Sequence, residues 1–171
     1  MSLWIILQGV KMLLKGIIDE DFINYKKPCM VIECPYCTFK CDKECGLQVC
    51  QNSALANSPN ITIKDKDLVK RYLDNDITQA ICFQGLEPFD DWENLYRCIV
   101  EFRSNTKDDI VIYTGYTYEE ILQKRYILNN LKQYDNIIIK FGRYIPNQTP
   151  HYDNILGVKL ASDNQFAEKI S

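Results

Sequence analysis

Three times in this chain a short apolar run stops at a loop and gives way to a segment with helical spacing. Gln79–Phe83 leads into Gln84-Gly-Leu-Glu-Pro88. Asp90 or Asp91 then caps a helix to about Arg103, with Trp92, Leu95, Tyr96 and Ile99 on one face. Asp109–Tyr113 leads into Thr114-Gly-Tyr116, and Thr117 with Glu120 forms a capping box for a helix to about Gln133. Met30–Glu33 leads into a long loop over residues 34–60 and a helix over Lys64–Asn75, striped by Leu68, Tyr72 and Leu73. Lys11–Ile18, Asn136–Lys140 and Ile155–Leu160 read as further strands. Repeated strand, loop and helix predict a parallel α/β sheet. In such sheets functional groups collect outside the carboxyl ends of the strands. That rule places four segments on one rim: the long loop, residues 84–88, residues 114–116 and the loop after Lys140.

The long loop carries unusual chemistry. Of eight cysteines in 171 residues, Cys29, Cys34, Cys37, Cys41, Cys45 and Cys50 are bunched. A disulfide scaffold spreads its cysteines through a short chain, whereas bunching points to a metal or a cluster. Cys29, Cys82 and Cys98 sit in or beside apolar runs and read as small buried hydrophobes. Thiolates ligate both zinc and iron–sulfur clusters. The spacing alone leaves both open.

The rest of the composition narrows the setting. An apolar fraction of 46% suits one globular domain over residues 1–171. Met12 offers a second start, with residues 1–11 as a candidate N-terminal extension. Net charge is −3, which argues against a nucleic-acid partner. No apolar run approaches the ~20 residues of a membrane span, and Met1–Lys11 has no secretory pattern. A cytoplasmic protein is expected. His151, the single histidine, lies in Pro150-His-Tyr152 and reads as a loop residue.

On these residues the chain resembles the radical S-adenosylmethionine superfamily. Its signature is C-x3-C-x2-C on the loop after the first strand. Cys37-Thr-Phe-Lys-Cys41 supplies the first spacing with an aromatic at Phe39, but position 44 is Glu. Cys50-Gln-Asn52 has the family's form for the third cysteine, whereas Cys45-Gly-Leu47 does not. The resemblance therefore implies Cys37, Cys41 and Cys50 as ligands after an insertion, with Cys45 in reserve. Gln84-Gly85-Leu86-Glu87-Pro88 looks like the family's Gly-Gly-Glu-Pro loop, with Leu86 in place of one glycine.

A narrower likeness is to the activating proteins of anaerobic ribonucleotide reductase. It rests on Ile110-Val-Ile-Tyr-Thr114-Gly115-Tyr116 before an acidic helix and on Ser162-Asp-Asn164-Gln165 near the end. It covers roughly residues 12–166. The resemblance implies a short, open, partial β/α barrel with a mostly parallel sheet. It implies one [4Fe–4S] cluster with an open iron, and reductive cleavage of S-adenosylmethionine. Gln84, Gly85, Glu87, Thr114, Gly115, Val49 and Gln51 are the expected cosubstrate contacts, with Glu87 accepting from the methionyl ammonium and Arg143 a candidate for its carboxylate. The implied partners are the large reductase, which receives a glycyl radical, and an electron donor of the flavodoxin type. Phe141–Tyr152, with Arg143, Tyr144, Pro146 and Tyr152, is the expected docking rim. Two alternatives stand beside this reading. One is a radical enzyme acting on a small molecule, similar to deazaguanine synthases. The other is a non-catalytic zinc-binding module.

Overall fold

The computed structural model describes residues 10–171. Most of the expected N-terminal extension lies outside the described residues. The chain begins with β1 (Lys11–Leu14), β2 (Gly16–Asp21) and β3 (Cys29–Cys34). Two short helices, α1 (Lys40–Cys45) and α2 (Ser53–Ala56), interrupt the cysteine segment before β4 (Ile61–Lys64) and α3 (Asp65–Leu73). Next come β5 (Ala80–Gly85), a 3-10 turn over Pro88–Asp91, α4 (Trp92–Arg103) and β6 (Asp109–Tyr113). The chain ends with α5 (Tyr118–Gln123), α6 (Arg125–Leu131), β7 (Ile137–Phe141), β8 (His151–Asp153), β9 (Val158–Leu160) and β10 (Phe166–Lys169).

The main sheet has the order β10-β7-β6-β5-β3-β2. Its four middle strands are parallel, as the sequence predicts. Both edges are antiparallel, so the sheet is mixed. Successive parallel strands always step in one direction. Because such crossovers are right-handed, they all lie on one face. There Leu68 and Tyr72 of α3, Leu95 and Phe102 of α4, and Ile127 and Leu131 of α6 pack on Ile32, Phe83, Ile112 and Ile139. The alternate residues Val31, Cys82, Val111 and Ile138 face the other way, onto Tyr25, Leu156 and Leu160. Strands buried on both faces read as continuous apolar runs, which is why β5, β6 and β7 were legible.

The differences have local causes. The strand expected over residues 11–18 is two. Met12 and Leu13 pair with β4, and the chain then crosses to β3 at Gly16. Lys15 marks the crossing, its ammonium donating to the carbonyls of Ala56 and Ser58 at 2.9 and 2.6 Å. The helix expected over residues 117–133 breaks at Lys124, whose ammonium lies over the Tyr116 ring, 4.2 Å from its centroid. The strand expected over residues 155–160 shrinks to β9, which pairs with β8 as a hairpin outside the main sheet. The edge position on β7 goes to β10, whose sequence buries only Ala167 and so gives little signal.

The parallel strands deliver Cys34, Gly85, Tyr113 and Phe141 to one rim. The chain must turn sharply there. Gly85 has φ +90, and a Cβ on it would stand 3.0 Å from the Glu33 Cα. A left-handed backbone against a neighbouring strand is closed to other residues. Gly85→Ala is expected to lower unfolding stability by about 1–3 kcal/mol, read from urea denaturation of the cluster-free protein. A change below about 0.5 kcal/mol, the size of an ordinary surface substitution, contradicts this account of the turn.

Candidate functional site

A cavity of about 370 Å³ opens on that rim. Cys37, Cys41 and Cys50 line it, and Cys45 does not. Gln51, Gln84, Gly85, Glu87, Thr114 and Gly115 line it as well. Val49 is the one expected cosubstrate contact outside it; its amide instead donates to Asp42 Oδ1 at 2.8 Å.

The loop folds so as to return Cys50 to Cys41. Asp42 Oδ1 accepts from Val49 N at 2.8 Å and from Cys50 N at 2.7 Å. One carboxylate oxygen thereby closes the insertion. Phe39 enters α1 in a left-handed conformation, φ 53, and its amide donates to Cys37 Sγ at 3.2 Å. Asp90 receives Thr38 N at 3.0 Å, fixing the start of the loop to the turn after β5. Asn52 Nδ2 donates to Gly85 O at 2.6 Å and fixes its far side.

Burial pushes the Cys41 thiol up to about 12, with Cys50 and Asp42 adding to it. Burial likewise pushes the Cys37 thiol up to about 11 against the Phe39 amide, and Glu87, Asp90 and Cys50 press in the same upward direction. Both are therefore protonated at neutral pH in the protein alone. A cationic centre at the cavity reverses this, because ligation requires and stabilises the thiolate. Among the described residues no three His, Cys, Asp or Glu side chains converge as ligands of one metal ion. Structural zinc needs such a tetrahedral gathering. Three thiols lining one cavity fit a cluster, in which each cysteine takes a different iron.

Glu87 is buried, and its carboxylate organises the opposite wall. Oε1 accepts from Thr114 Oγ1 at 2.7 Å and Phe89 N at 3.1 Å, and Oε2 from Gly115 N at 2.7 Å. Its own amide donates to Tyr36 O at 2.6 Å in the cysteine segment. Three rim segments thus meet on one residue. The sequence suggests Glu87 as an open acceptor. Three protein donors already occupy it, leaving room for about one more among the four lone-pair sites of a carboxylate. The Leu86 amide is also spent, on Cys34 O at 3.2 Å.

Arg143 differs more from expectation. It is 8% exposed. Its Nη atoms donate to Glu120 at 2.8 and 3.0 Å, to Glu44 Oε1 at 3.0 Å and to Gly115 O at 2.9 Å. Nε lies 2.8 Å from Glu44 Oε2 without hydrogen-bond alignment. Lys40 also pairs with Glu120, at 2.9 Å. Arg143 is therefore a strap across α1, α5 and the loop after β7; it lines the cavity, but its four Nη donors are already taken by protein oxygens. On the expected docking rim, Tyr152 is exposed and Tyr144 is half-buried. His151 is half-buried in β8 and is not a cavity residue. Lys140, overlooked in the sequence, lines the cavity. Its signal was a lysine inside an otherwise apolar strand.

A family model described as a 4Fe-4S single cluster domain matches residues 29–163, well over half of the chain. The match runs from β3 through the whole rim to the Ser162–Gln165 segment. No curated protein matches, and no solved structure does.

Burial, outweighing its donors, pushes Glu87 up to about 7 from 4.5. A raised acid contributes stability that is fully present below its unfolded pKa and is lost as pH rises through its folded one. The cluster-free protein is therefore expected to lose up to about 3 kcal/mol relative to Glu87→Gln as pH rises from 4.5 through 7. Urea denaturation across that range reads the difference. A difference that stays flat with pH contradicts the raised carboxyl.

Proposed function

The chain belongs to the 4Fe–4S single cluster domain family, and from that premise we propose a radical S-adenosylmethionine enzyme that installs a glycyl radical on a large anaerobic ribonucleotide reductase. Iron–sulfur binding follows from the family. The finer reading is carried by one observation: three cysteine thiols and the Thr114–Gly115 wall held by Glu87 line one cavity.

In this reading Cys37, Cys41 and Cys50 would hold the cluster, and a set of three cysteines would leave one iron for the cosubstrate. A cluster held there would supply the one electron that cleaves a carbon–sulfur bond of the sulfonium, to give methionine and a 5′-deoxyadenosyl radical. The protein binds and orients. Glu87 offers its remaining lone pair to the methionyl ammonium as a charge-assisted bond. Because Glu87 also fixes Gly115 N and Thr114 Oγ1, the ammonium contact and the wall it braces move together. Gln51 and Gln84 supply amide groups at the cavity surface. Val49 serves the loop through Asp42.

An open cavity suits a protein substrate. A cavity of about 370 Å³ is at the small end of small-molecule sites, ~300–1,000 Å³. It opens on the rim, so a substrate can reach it from outside. The substrate glycine would then arrive on a loop from outside, where the lack of a Cβ allows close approach. One-directional winding of the parallel strands supports the short, open barrel of this reading. Among the described residues no helix is long and apolar enough to cross a membrane. A cytoplasmic setting and a flavodoxin-type electron donor belong to the proposal.

The test starts with anaerobic reconstitution and iron analysis of single cysteine variants. Wild type and Cys45→Ala are expected to hold about four irons per chain. Ala at Cys37, Cys41 or Cys50 should hold much less. Loss in Cys45→Ala with retention in Cys50→Ala would overturn the ligand set. The loaded protein is then mixed with reductant, S-adenosylmethionine and the cognate reductase, and electron paramagnetic resonance is recorded. A glycyl doublet that needs every component is expected. If 5′-deoxyadenosine forms without a protein radical, the substrate is a small molecule.

A further inference from the structure

With Arg143 committed to carboxylates, a second cation still faces the cavity. Each of the four parallel strands ends with one side chain on the face opposite the helices: Glu33, Gln84, Tyr113 and Lys140. All four line the cavity. Glu33 lies in register with Gln84, and Tyr113 with Lys140. Beneath them Val31, Cys82, Val111 and Ile138 form an apolar layer. The cavity floor is therefore one polar layer laid over a hydrophobic one.

Lys140 is buried in that floor, 7% exposed. Its ammonium donates to Gly142 O at 2.6 Å. The Tyr113 ring centroid lies 5.8 Å from it. None of the ion pairs among the described residues includes it. Glu87 is the carboxylate that acts on it electrostatically, but Glu87 is hydrogen-bonded to three other donors. Glu33 is three strand spacings away, roughly 14 Å along the sheet. An ammonium has three donors, so two have no protein partner among the described residues. A buried charge is costly unless it is paired and hydrogen-bonded.

We propose that Lys140 is a carboxylate anchor, pairing with a carboxylate of the molecule that enters the cavity. A singly charged group matches one ammonium. A dianionic phosphate would also meet Glu33 and Glu87 in the same cavity. The inference rests on the cosubstrate reading of the site. The carboxylate has two sources under that reading: the methionyl end of S-adenosylmethionine, or an acidic side chain on the entering protein loop.

The experiment uses the cluster-loaded protein and two variants. Lys140→Met removes the charge at similar volume. Lys140→Gln removes the charge but keeps a donor for Gly142 O, so a lysine that only braces that carbonyl would be replaceable by it. Iron content and thermal midpoint are checked in both. Equilibrium dialysis then compares S-adenosylmethionine with its decarboxylated analogue. If the cosubstrate is the source, both variants weaken S-adenosylmethionine about 10–100-fold, as loss of a charged hydrogen bond does, and leave the analogue unchanged. If the loop is the source, cosubstrate affinity holds, while the KM for the reductase in glycyl-radical formation rises at least about tenfold. Unchanged behaviour on both counts, equal loss for both ligands, or full rescue by Lys140→Gln overturns the anchor. A wild-type protein that holds its cluster but binds neither ligand overturns the proposed function itself, and the anchor with it.

Discussion

The rim depends on a single buried carboxylate. Glu87 follows Gly85, whose φ of +90 turns the chain at the end of β5. Its amide reaches back to Tyr36 before the cysteine loop, and its carboxylate reaches across to Thr114 and Gly115 after β6. Each bond is of ordinary strength. Their joint effect is to fix three loops from three strands relative to one another. Burying a carboxylate is unfavourable, and its raised pKa records that cost. The three donors offset part of that cost, which ties the residue to the turn it stabilises.

The cysteine loop is held on a different principle. Helix α1 buries no residue, so hydrophobic packing does not fix it. Polar contacts do so instead: Asp42 onto the amides of Val49 and Cys50, Lys40 onto Glu120, and Glu44 onto Arg143. Arg143 is the strongest of these, since its planar guanidinium serves Glu44, Glu120 and a carbonyl at once. A loop organised mainly by polar contacts sits at the low-stability end of a structure. Three thiolates bound to a cluster would supply the cross-linking that its sequence omits.

Most of the architecture was legible because its strands are buried on both faces. Ala80–Phe83, Ile110–Ile112 and Ile137–Ile139 announce themselves as unbroken apolar runs. The half-exposed strands β4 and β10 give no such run, and both escaped. In the site, Cys50 was distinguished from Cys45 by the following Gln51-Asn52, and the cavity now contains Cys50 and not Cys45. The device that folds the insertion, a single oxygen of Asp42, had no sequence signature. Arg143 lines the cavity, but its pairing with two carboxylates 99 and 23 residues away in sequence had no signature to read. Lys140 was passed over because it looked like the end of a strand, although a lysine with apolar neighbours on both sides is itself a signal.

The central claim is that three cysteines around this cavity leave one iron of a cluster open to S-adenosylmethionine. Electron paramagnetic resonance of the reduced, cluster-loaded protein, recorded with and without saturating S-adenosylmethionine, tests it most directly. The cluster signal should change its g values when the cosubstrate is added, because a new ligand reaches the open iron. A spectrum that is identical in the two samples, from a protein carrying its full iron content, would contradict the claim.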